Sequence, residues 1–242
     1  MTPILIVILV CIAVVGILVY FAYRFHRIAT LIKDTPTSKV IDLHERLVEV
    51  QGSVRAGGRM LQSPLAGTDC VYYRFKVEER RTSGMGNHHR SHWRTIINDS
   101  EVVPCLVEDD TGVAEVMLEE AKLVLAPDSH THSGFFNDTS PELERTLNDR
   151  YGRSSKGFIF NKSMRYSETI LEVGDPLYVL GTVTAISDGP PRIAKADGPV
   201  FLVSDKPESK LQSRYTWFAV LCILGAIAVI VGGAWWIGLR FS

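Results

Sequence analysis

The sequence predicts a mainly β protein, in which a small OB-like β-barrel domain with one inserted helix lies between two transmembrane helices. Residues 1–23 contain no Asp, Glu, Lys or Arg, and residues 215–242 contain one charged side chain, Arg240. The residues between them are rich in both acidic and basic side chains and contain short β-rich segments separated by turn residues. Short strands joined by tight turns bury their faces by closing into a barrel.

Composition excludes several classes of protein. With 46% apolar residues and a formal net charge of −1, the chain is not intrinsically disordered. Four cysteines in 242 residues are too few for a disulfide-stapled scaffold. The near-zero net charge argues against a general nucleic-acid-binding protein. No motif for a cofactor or a small-molecule substrate is evident, so we expect neither.

Two apolar segments are long enough to cross a bilayer. Ile4–Tyr23 would span about 30 Å as a helix, and Trp217–Leu239 is a second run of spanning length. The first lacks the basic start and the small-residue cleavage site of a signal peptide, so we expect an uncleaved anchor. The predicted organisation is a transmembrane helix over 1–23, a juxtamembrane helix and linker over 24–46, and a second transmembrane helix over 215–242.

Charge distribution predicts the orientation. Basic side chains flank the inner ends of both apolar segments, whereas the outer ends carry only Arg240. The inner set comprises Arg24, Arg27, Lys33, Lys39, Lys206, Lys210 and Arg214. Because basic flanks tend to stay in the cytoplasm, the sequence predicts a cytoplasmic β domain with both termini outside.

The middle of the chain, residues 47–214, contains the strand patterns. Alternating or β-branched segments cover 47–54, 70–78, 102–108, 113–118, 177–186 and 199–203. The inserted helix is predicted at Pro141–Tyr151, with Ser140 as N-cap and Pro141 at the first helical position. It lies in a polar insertion over 126–165, and a short lead-in helix is predicted over 38–46.

Three motifs occur in a recognisable order. Residues 63–74 read SPLAGTDCVYYR, residues 103–112 read VPCLVEDDTG, and residues 174–181 read GDPLYVLG. In this order and spacing the chain resembles the GIDE family, whose soluble part is called the "beside a membrane" (BAM) domain. The resemblance implies the plan of RING-type E3 ubiquitin ligases of mitochondrial and chloroplast membranes, and with it a link to organelle organisation.

The resemblance also implies that the motif residues are structural. They are Pro64, Gly67, Cys70, Tyr72, Tyr73, Arg74, Asp110, Gly112, Gly174, Asp175 and Gly181. We expect Gly112 to close a hairpin with a positive φ. A RING needs eight Cys and His ligands, mostly thiolates, for its two Zn²⁺ ions. Outside the apolar segments the sequence has only Cys70 and Cys105, so we expect a RING-less member of the family without bound metal.

The main candidate binding surface is a basic segment. Residues 80–94 read RRTSGMGNHHRSHWR and include no acidic side chain. We expect a hairpin tip that binds anionic lipid or an acidic protein partner; a solvated loop is the alternative. The candidate residues are Arg80, Arg81, His88, His89, Arg90, His92, Trp93 and Arg94.

Two further motifs allow a functional and a plain explanation. Asp110-Thr111-Gly112 matches the aspartic-protease triplet, but a hairpin turn also explains it. Five histidines could bind Zn²⁺ or Cu²⁺ if their two segments met, and are otherwise exposed loop residues. They are His88, His89, His92, His130 and His132.

Two cysteines and two small residues have further predicted roles. Cys70 and Cys105 fall in apolar strand contexts, so we expect buried free thiols. Ala228 and Gly232 have the small-xxx-small spacing that allows close helix packing. They favour either a homo-oligomer through the second span or packing on the first span.

The sequence therefore predicts a membrane-anchored, non-catalytic interaction or scaffold module that works with a protein partner. The alternative is a RING-type E3 ubiquitin transferase, or a subunit of such a ligase that acts with a partner. A second alternative is a metal or redox sensor that uses the histidines.

Overall fold

The computed structural model describes residues 2–83, 90–127, 129–133, 141–154, 163–185 and 189–241. Its α-helices are α1 (Thr2–Asp34), α2 (Pro141–Tyr151) and α3 (Glu208–Phe241). Its strands are β1 (Leu47–Ala56), β2 (Leu61–Gln62), β3 (Asp69–Ser83), β4 (Arg90–Val102), β5 (Cys105–Glu108), β6 (Val113–Val116), β7 (Lys122–Val124), β8 (Ser129–Ser133), β9 (Met164–Glu172), β10 (Pro176–Ala185), β11 (Arg192–Ala194) and β12 (Leu202–Ser204). The chain divides into two compact units: the first is the pair Met1–Pro36 with Lys206–Ser242, and the second is Thr37–Asp205.

The first unit consists of two helices that are long and apolar enough to cross a membrane. The chain is accordingly a membrane protein. α1 continues through the basic residues that follow Tyr23 and ends before Pro36, because the residue before a proline avoids the helical region. Near its end, the ring of Phe25 packs on Phe218 of α3 with the centroids 5.5 Å apart.

Glycines of α3 allow close packing on α1. A Cβ atom at Gly225 would lie 3.6 Å from Leu18, and one at Gly233 would lie 3.2 Å from the Cys11 sulfur. By contrast, Ala228 is exposed and Gly232 has no atom within 4 Å of its Cβ position. The glycines that face α1 are therefore not the pair with small-xxx-small spacing.

Five strands of the second unit close a barrel. β1 pairs with β5, β5 with β6, β6 with β11, β11 with β10, and β10 returns to β1. Only the pairing of β6 with β11 is parallel within this ring. Numbered in chain order, the ring reads 1-2-3-5-4-1, which confirms the predicted OB-like barrel. β12 and then β7 extend the sheet beyond β10.

The strands of a second sheet lie between the barrel strands along the chain. Its order is β2-β3-β9-β8, and β4 pairs with β3 on the edge that β2 also uses. The predicted helix α2 covers one face, with Leu143 and Leu147 buried in the same core as the strands. The core of the domain runs continuously from the barrel interior to this covered face.

Two local predictions are wrong for physical reasons. The expected helix over 38–46 is only a 3-10 turn at Val40–Asp42, because the Ser38 N–H donates to the Glu49 carbonyl at 2.7 Å and draws this segment alongside β1. The segment 102–108 is two strands in different sheets, because Pro104 lies between them and cannot donate to a ladder. The segment 126–165 contains β8 and the start of β9 beside the predicted helix.

Candidate functional site

The SPLAG part of the family motif forms a turn that a buried carboxylate holds. Glu168 of β9 is fully buried, and its two oxygens accept the N–H groups of Leu65 at 2.8 Å and Ala66 at 3.0 Å. Gly67 adopts a φ of +68° in this turn, and Pro64 is buried. Both Glu168 oxygens are engaged with backbone, so this motif has a structural role.

Tyr73 belongs to a polar cluster that joins α2 to the second sheet. Its hydroxyl lies 3.1 Å from Asp99 and 3.2 Å from Glu101, and it accepts a hydrogen bond from Arg150 of α2. Tyr151 donates to the same Asp99 carboxylate at 2.7 Å. Burial and the nearby Asp99 charge raise the pKa of the Tyr73 phenol. The cluster positions the helix and keeps Tyr73 protonated.

Asp109, which sequence analysis did not single out, organises the turn at residues 109–112. Its carboxylate accepts the N–H groups of Thr111 at 2.7 Å, Gly112 at 3.1 Å and Val40 at 2.9 Å. The predicted positive φ at Gly112 is wrong, because the Asp109 carboxylate closes the turn without it. Asp110 is exposed and ion-paired with Lys39, which supports the hairpin explanation of the triplet.

The GDPLYVLG motif is also explained by the fold. Gly174 has a φ of +95° in the turn before β10, and the Asp175 carboxylate accepts the N–H of Glu172 at 2.9 Å. A Cβ atom at Gly181 would lie 2.6 Å from the Phe201 ring and 2.8 Å from Ile193. Real Cβ atoms do not approach other atoms so closely, so β10 needs glycine at position 181.

Both cysteines of the domain are buried and free, as predicted. Burial raises the pKa of the Cys70 thiol to about 11 and that of Cys105 to about 12. At neutral pH both thiols are protonated, whereas metal binding and nucleophilic attack need the thiolate. Within the described part of the chain, no three His, Cys, Asp or Glu side chains are grouped as metal ligands would be.

The described ends of the basic segment 80–94 are paired strands of one hairpin, not a solvated loop. Arg80 of β3 lies opposite Trp93 of β4, and Arg81 lies opposite His92. Because opposed residues share a face and neighbours alternate, Arg80 and Trp93 lie on one face, and Arg81, His92 and Arg94 lie on the other. His88, His89 and the Arg90 side chain fall outside the described part of the structure.

Arg165, from a strand distant in the sequence, lies on the same face as Arg80 and Trp93. Arg165 of β9 donates to the Glu78 carboxylate, and its guanidinium carbon lies 4.6 Å from the centroid of the Trp93 ring. Lys76 ion-pairs with the same carboxylate at 2.8 Å, and Arg80 donates to Ser91 at 3.1 Å. We call this open face of β3, β4 and β9 the basic face. Its charged and aromatic members are Arg74, Lys76, Glu78, Arg80, Trp93 and Arg165.

Glu78 is the acidic member of the basic face. Hydrogen bonds from Arg165 and then Lys76 lower its pKa to about 2. The carboxylate therefore stays ionised at physiological pH and orients two of the four basic side chains. Since four bases surround one acid, the described residues of this face carry a net positive charge.

Four other acidic residues of the same sheet lie on the opposite face. Asp99 and Glu101 contact the α2 cluster, Glu168 holds the SPLAG turn, and Glu79 ion-pairs with Arg81 at 2.9 Å. The second sheet is thus polarised, with acids mainly on the covered face and bases on the open face. Arg81, His92 and Arg94 are exceptions near the hairpin tip.

Sequence analysis missed Lys76 and Arg165 as members of a surface. A signal was present, because Arg74, Lys76, Glu78 and Arg80 alternate with other residues along β3. Arg165 and Ser167 follow the same period of two in β9. What the sequence does not show is that Arg165 pairs with Glu78 across the sheet.

A comparison with protein families identifies the family of this chain. The model of the GIDE family, described as E3 Ubiquitin ligase, matches residues 75–238. The chain belongs to the GIDE family. Searches among curated proteins and among solved structures found no match.

The match places the hairpin and, apart from Arg74, the charged and aromatic members of the basic face within the GIDE region. It begins at Phe75 in β3 and ends in α3, so it includes β4, β9 and four of the five barrel strands. The SPLAGTDCVYYR sequence lies before the matched residues and ends at Arg74.

Backbone pairing in this GIDE chain separates the candidate metal-binding histidines. β8 contains His130 and His132 and pairs with β9, whereas His92 lies in β4 on the far side of β3. Three strand spacings of about 4.8 Å separate β8 from β4. The described backbone therefore does not bring His92 beside His130 and His132.

Proposed function

We propose that this GIDE chain is a membrane-anchored, non-catalytic interaction module. The observation that carries the proposal is the basic face, where Arg165, Glu78 and Trp93 are held in contact while Trp93 stays 39% exposed. An exposed aromatic ring beside oriented guanidinium groups is a typical binding element. The hairpin of residues 80–94 borders this face and contributes to it.

The other chemically notable groups of the domain are engaged in the fold, which supports the proposal. Glu49 is buried and accepts hydrogen bonds from Thr37 at 2.7 Å, Gln51 at 3.0 Å and Tyr178 at 2.7 Å. Glu168 holds a turn. Carboxylates with all their oxygens hydrogen-bonded to the protein are suited to structural roles rather than to acid–base work.

The proposed partner is a protein, recruited to a β domain that the two helices fix at the lipid bilayer. Basic flanks favour a cytoplasmic location of this domain. The exposed pair Ala228 and Gly232 favours a homo-oligomer through α3, since it is not used against α1. These three features together describe a scaffold at the membrane surface.

Affinity purification of the full-length protein from membranes, after chemical cross-linking, tests the proposal. We expect a reproducible partner that is lost from a variant with Arg80, Arg81, Arg90 and Arg94 changed to Ser. The matched control changes four exposed arginines outside the hairpin and the membrane flanks, Arg46, Arg55, Arg153 and Arg192, to Ser. Recovery of the same proteins by both variants would contradict a role for the hairpin.

A second candidate is an E3 ubiquitin transferase or a subunit of one, because the family model carries that description. The decisive assay combines the purified full-length protein with ubiquitin, activating enzyme and conjugating enzymes. We expect no ubiquitin chains in the absence of another ligase. Autoubiquitination by the purified chain would overturn the non-catalytic proposal.

A further inference from the structure

We propose that the basic face binds an acidic segment of a partner protein in an extended conformation. This inference rests on the proposed function and deepens it by naming the chemistry of the partner. It differs from the hairpin hypothesis because it moves the binding surface from the tip of residues 80–94 to the middle of the second sheet. Its main contacts become Arg74, Lys76 and Arg165, which lie outside that segment, together with Arg80 on the same face.

Charge is the first argument for an acidic partner. Arg74 and Arg80 are exposed, and the side chains of Lys76 and Arg165 are 39% and 40% exposed. Glu78, the acid among them, has only 13% of its side chain exposed and is already ion-paired. An approaching ligand therefore meets basic groups, whereas the acids Asp99 and Glu101 lie on the other side of the sheet.

Spacing is the second argument. Arg74, Lys76 and Arg80 lie on one strand at intervals that are multiples of two residues, and two strand residues span about 6.6–6.8 Å. Side chains on one face of an extended partner repeat at the same distance. Acidic residues at alternate positions of such a segment can therefore meet successive bases of β3 without distortion of either chain.

Preorganisation is the third argument. Arg165 is held between the Glu78 carboxylate and the Trp93 ring, so a ligand does not need to order its guanidinium. A planar guanidinium binds a carboxylate through two parallel hydrogen bonds, which gives geometric specificity. On the same face, Thr95, Asn98 and Ser100 lie opposite Glu78, Lys76 and Arg74 in the strand register. Their polar side chains suit peptide groups rather than acyl chains.

The surface favours a polypeptide over a membrane or a nucleic acid. Lipid binding by a surface patch normally adds apolar side chains that insert below the headgroups, but Trp93 is the only large apolar side chain exposed among the described residues of β3, β4 and β9. Single-stranded nucleic acids use several aromatic platforms for successive bases. Binding of a lipid membrane or of a nucleic acid, in place of the peptide, is an alternative outcome of the test.

The test measures binding of labelled peptides to the full-length protein in neutral phosphatidylcholine nanodiscs. The probe is an alternating Glu-Thr peptide, and its control replaces every Glu by Gln. Two variants carry the same charge loss on opposite faces of the same hairpin: Arg74→Gln with Arg80→Gln, and Arg81→Gln with Arg94→Gln. Circular dichroism of each variant verifies the fold.

We expect micromolar binding of the acidic peptide, at least tenfold weaker binding to the Arg74/Arg80 variant, and less than a twofold change for the Arg81/Arg94 variant. Equal losses from both variants would overturn the inference, since they would show a general charge effect. It would also be overturned if phosphatidylserine vesicles or oligothymidylate bound while the acidic peptide did not.

The outcome also separates this inference from the proposed function. A partner recovered equally well by the wild type and the Arg74/Arg80 variant would refute the basic face and leave the interaction module intact. Autoubiquitination by the isolated chain would refute the module itself.

Discussion

The barrel and the second sheet of this GIDE domain use the same kind of strand for different purposes. In the barrel, every strand of the ring has a hydrogen-bonded partner on both sides. The side chains around position 181 are packed so closely that only glycine fits there. The second sheet buries one face under α2 and the SPLAG turn and leaves the other open. The comparison indicates that stability depends on the barrel and the covered face, and we propose that binding depends on the open face.

The largest expected effect is in the barrel. Gly181→Val adds atoms where even a Cβ would lie within 3 Å of Phe201 and Ile193, so we expect a loss of about 3 kcal/mol in the free energy of unfolding. Pulse proteolysis of the full-length protein in detergent measures it. Gly112→Ala is the control, because a Cβ there meets only Val40 at 3.4 Å, and it should cost less than about 0.5 kcal/mol. Equal losses would show that the surroundings of position 181 are no more closely packed than those of position 112.

A smaller loss is expected on the covered face of the second sheet. Glu168→Gln replaces one acceptor oxygen by an amide N–H that faces a backbone N–H, and it removes the charge that strengthens both bonds. We expect destabilisation of about 2 kcal/mol, measured by the same proteolysis experiment. Since Glu119 is exposed, Glu119→Gln serves as a comparison for the same isosteric change at a surface position. An unchanged stability of Glu168→Gln would mean that the SPLAG turn is held by other contacts.

A pH-dependent effect is expected on the open face. The pKa of Glu78 is lowered from 4.5 to about 2 in the folded protein, so its contribution to stability is present above pH 4.5. It is lost as the pH falls from 4.5 through 2, because protonation then becomes coupled to unfolding. Glu78→Gln should reduce this acid sensitivity, whereas the wild type keeps it. If the free energy of unfolding of the wild type and of Glu78→Gln changed identically between pH 5 and pH 2, the ion pairs of Glu78 with Arg165 and Lys76 would be refuted.

The smallest effect on stability is expected from the exposed arginines. Arg74→Gln with Arg80→Gln should change the free energy of unfolding by less than about 0.5 kcal/mol, since surface substitutions rarely do more. The same variant should lose binding, which separates the two roles that the comparison assigns. A loss of stability as large as that of Glu168→Gln would show that the open face also supports the fold.

Orientation in the membrane sets where the open face can act. Ser91→Cys places a thiol on the exposed hairpin, whereas Cys70 and Cys105 are buried and protonated. A membrane-impermeant maleimide on intact cells should leave this cysteine unlabelled if the β domain is cytoplasmic. Labelling without permeabilisation would refute the orientation that the basic flanks predict.

Local patterns in the sequence predicted much of the fold. The helix at Pro141–Tyr151 has the predicted bounds, because a proline at the first helical position is a local signal. The predicted N-cap, Ser140, lies outside the described residues. β9 was missed, because the buried polar residue Glu168 interrupts its apolar alternation and a turn 102 residues away satisfies it. The basic face was found only in part for a similar reason, since Arg165 and Glu78 meet across 87 residues of chain.

The central claim, that the open face rather than the hairpin tip receives the partner, is tested most directly by site-specific photo-crosslinking in native membranes. Benzoylphenylalanine is placed at Thr95, whose side chain lies on the basic face, and separately at the neighbouring Arg94, which lies on the opposite face. We predict a cross-linked protein partner from position 95 and none from position 94, with loss of the adduct when Arg74 and Arg80 are changed to Gln. Cross-linking from position 94 alone, or from position 95 regardless of the two arginines, would contradict the account.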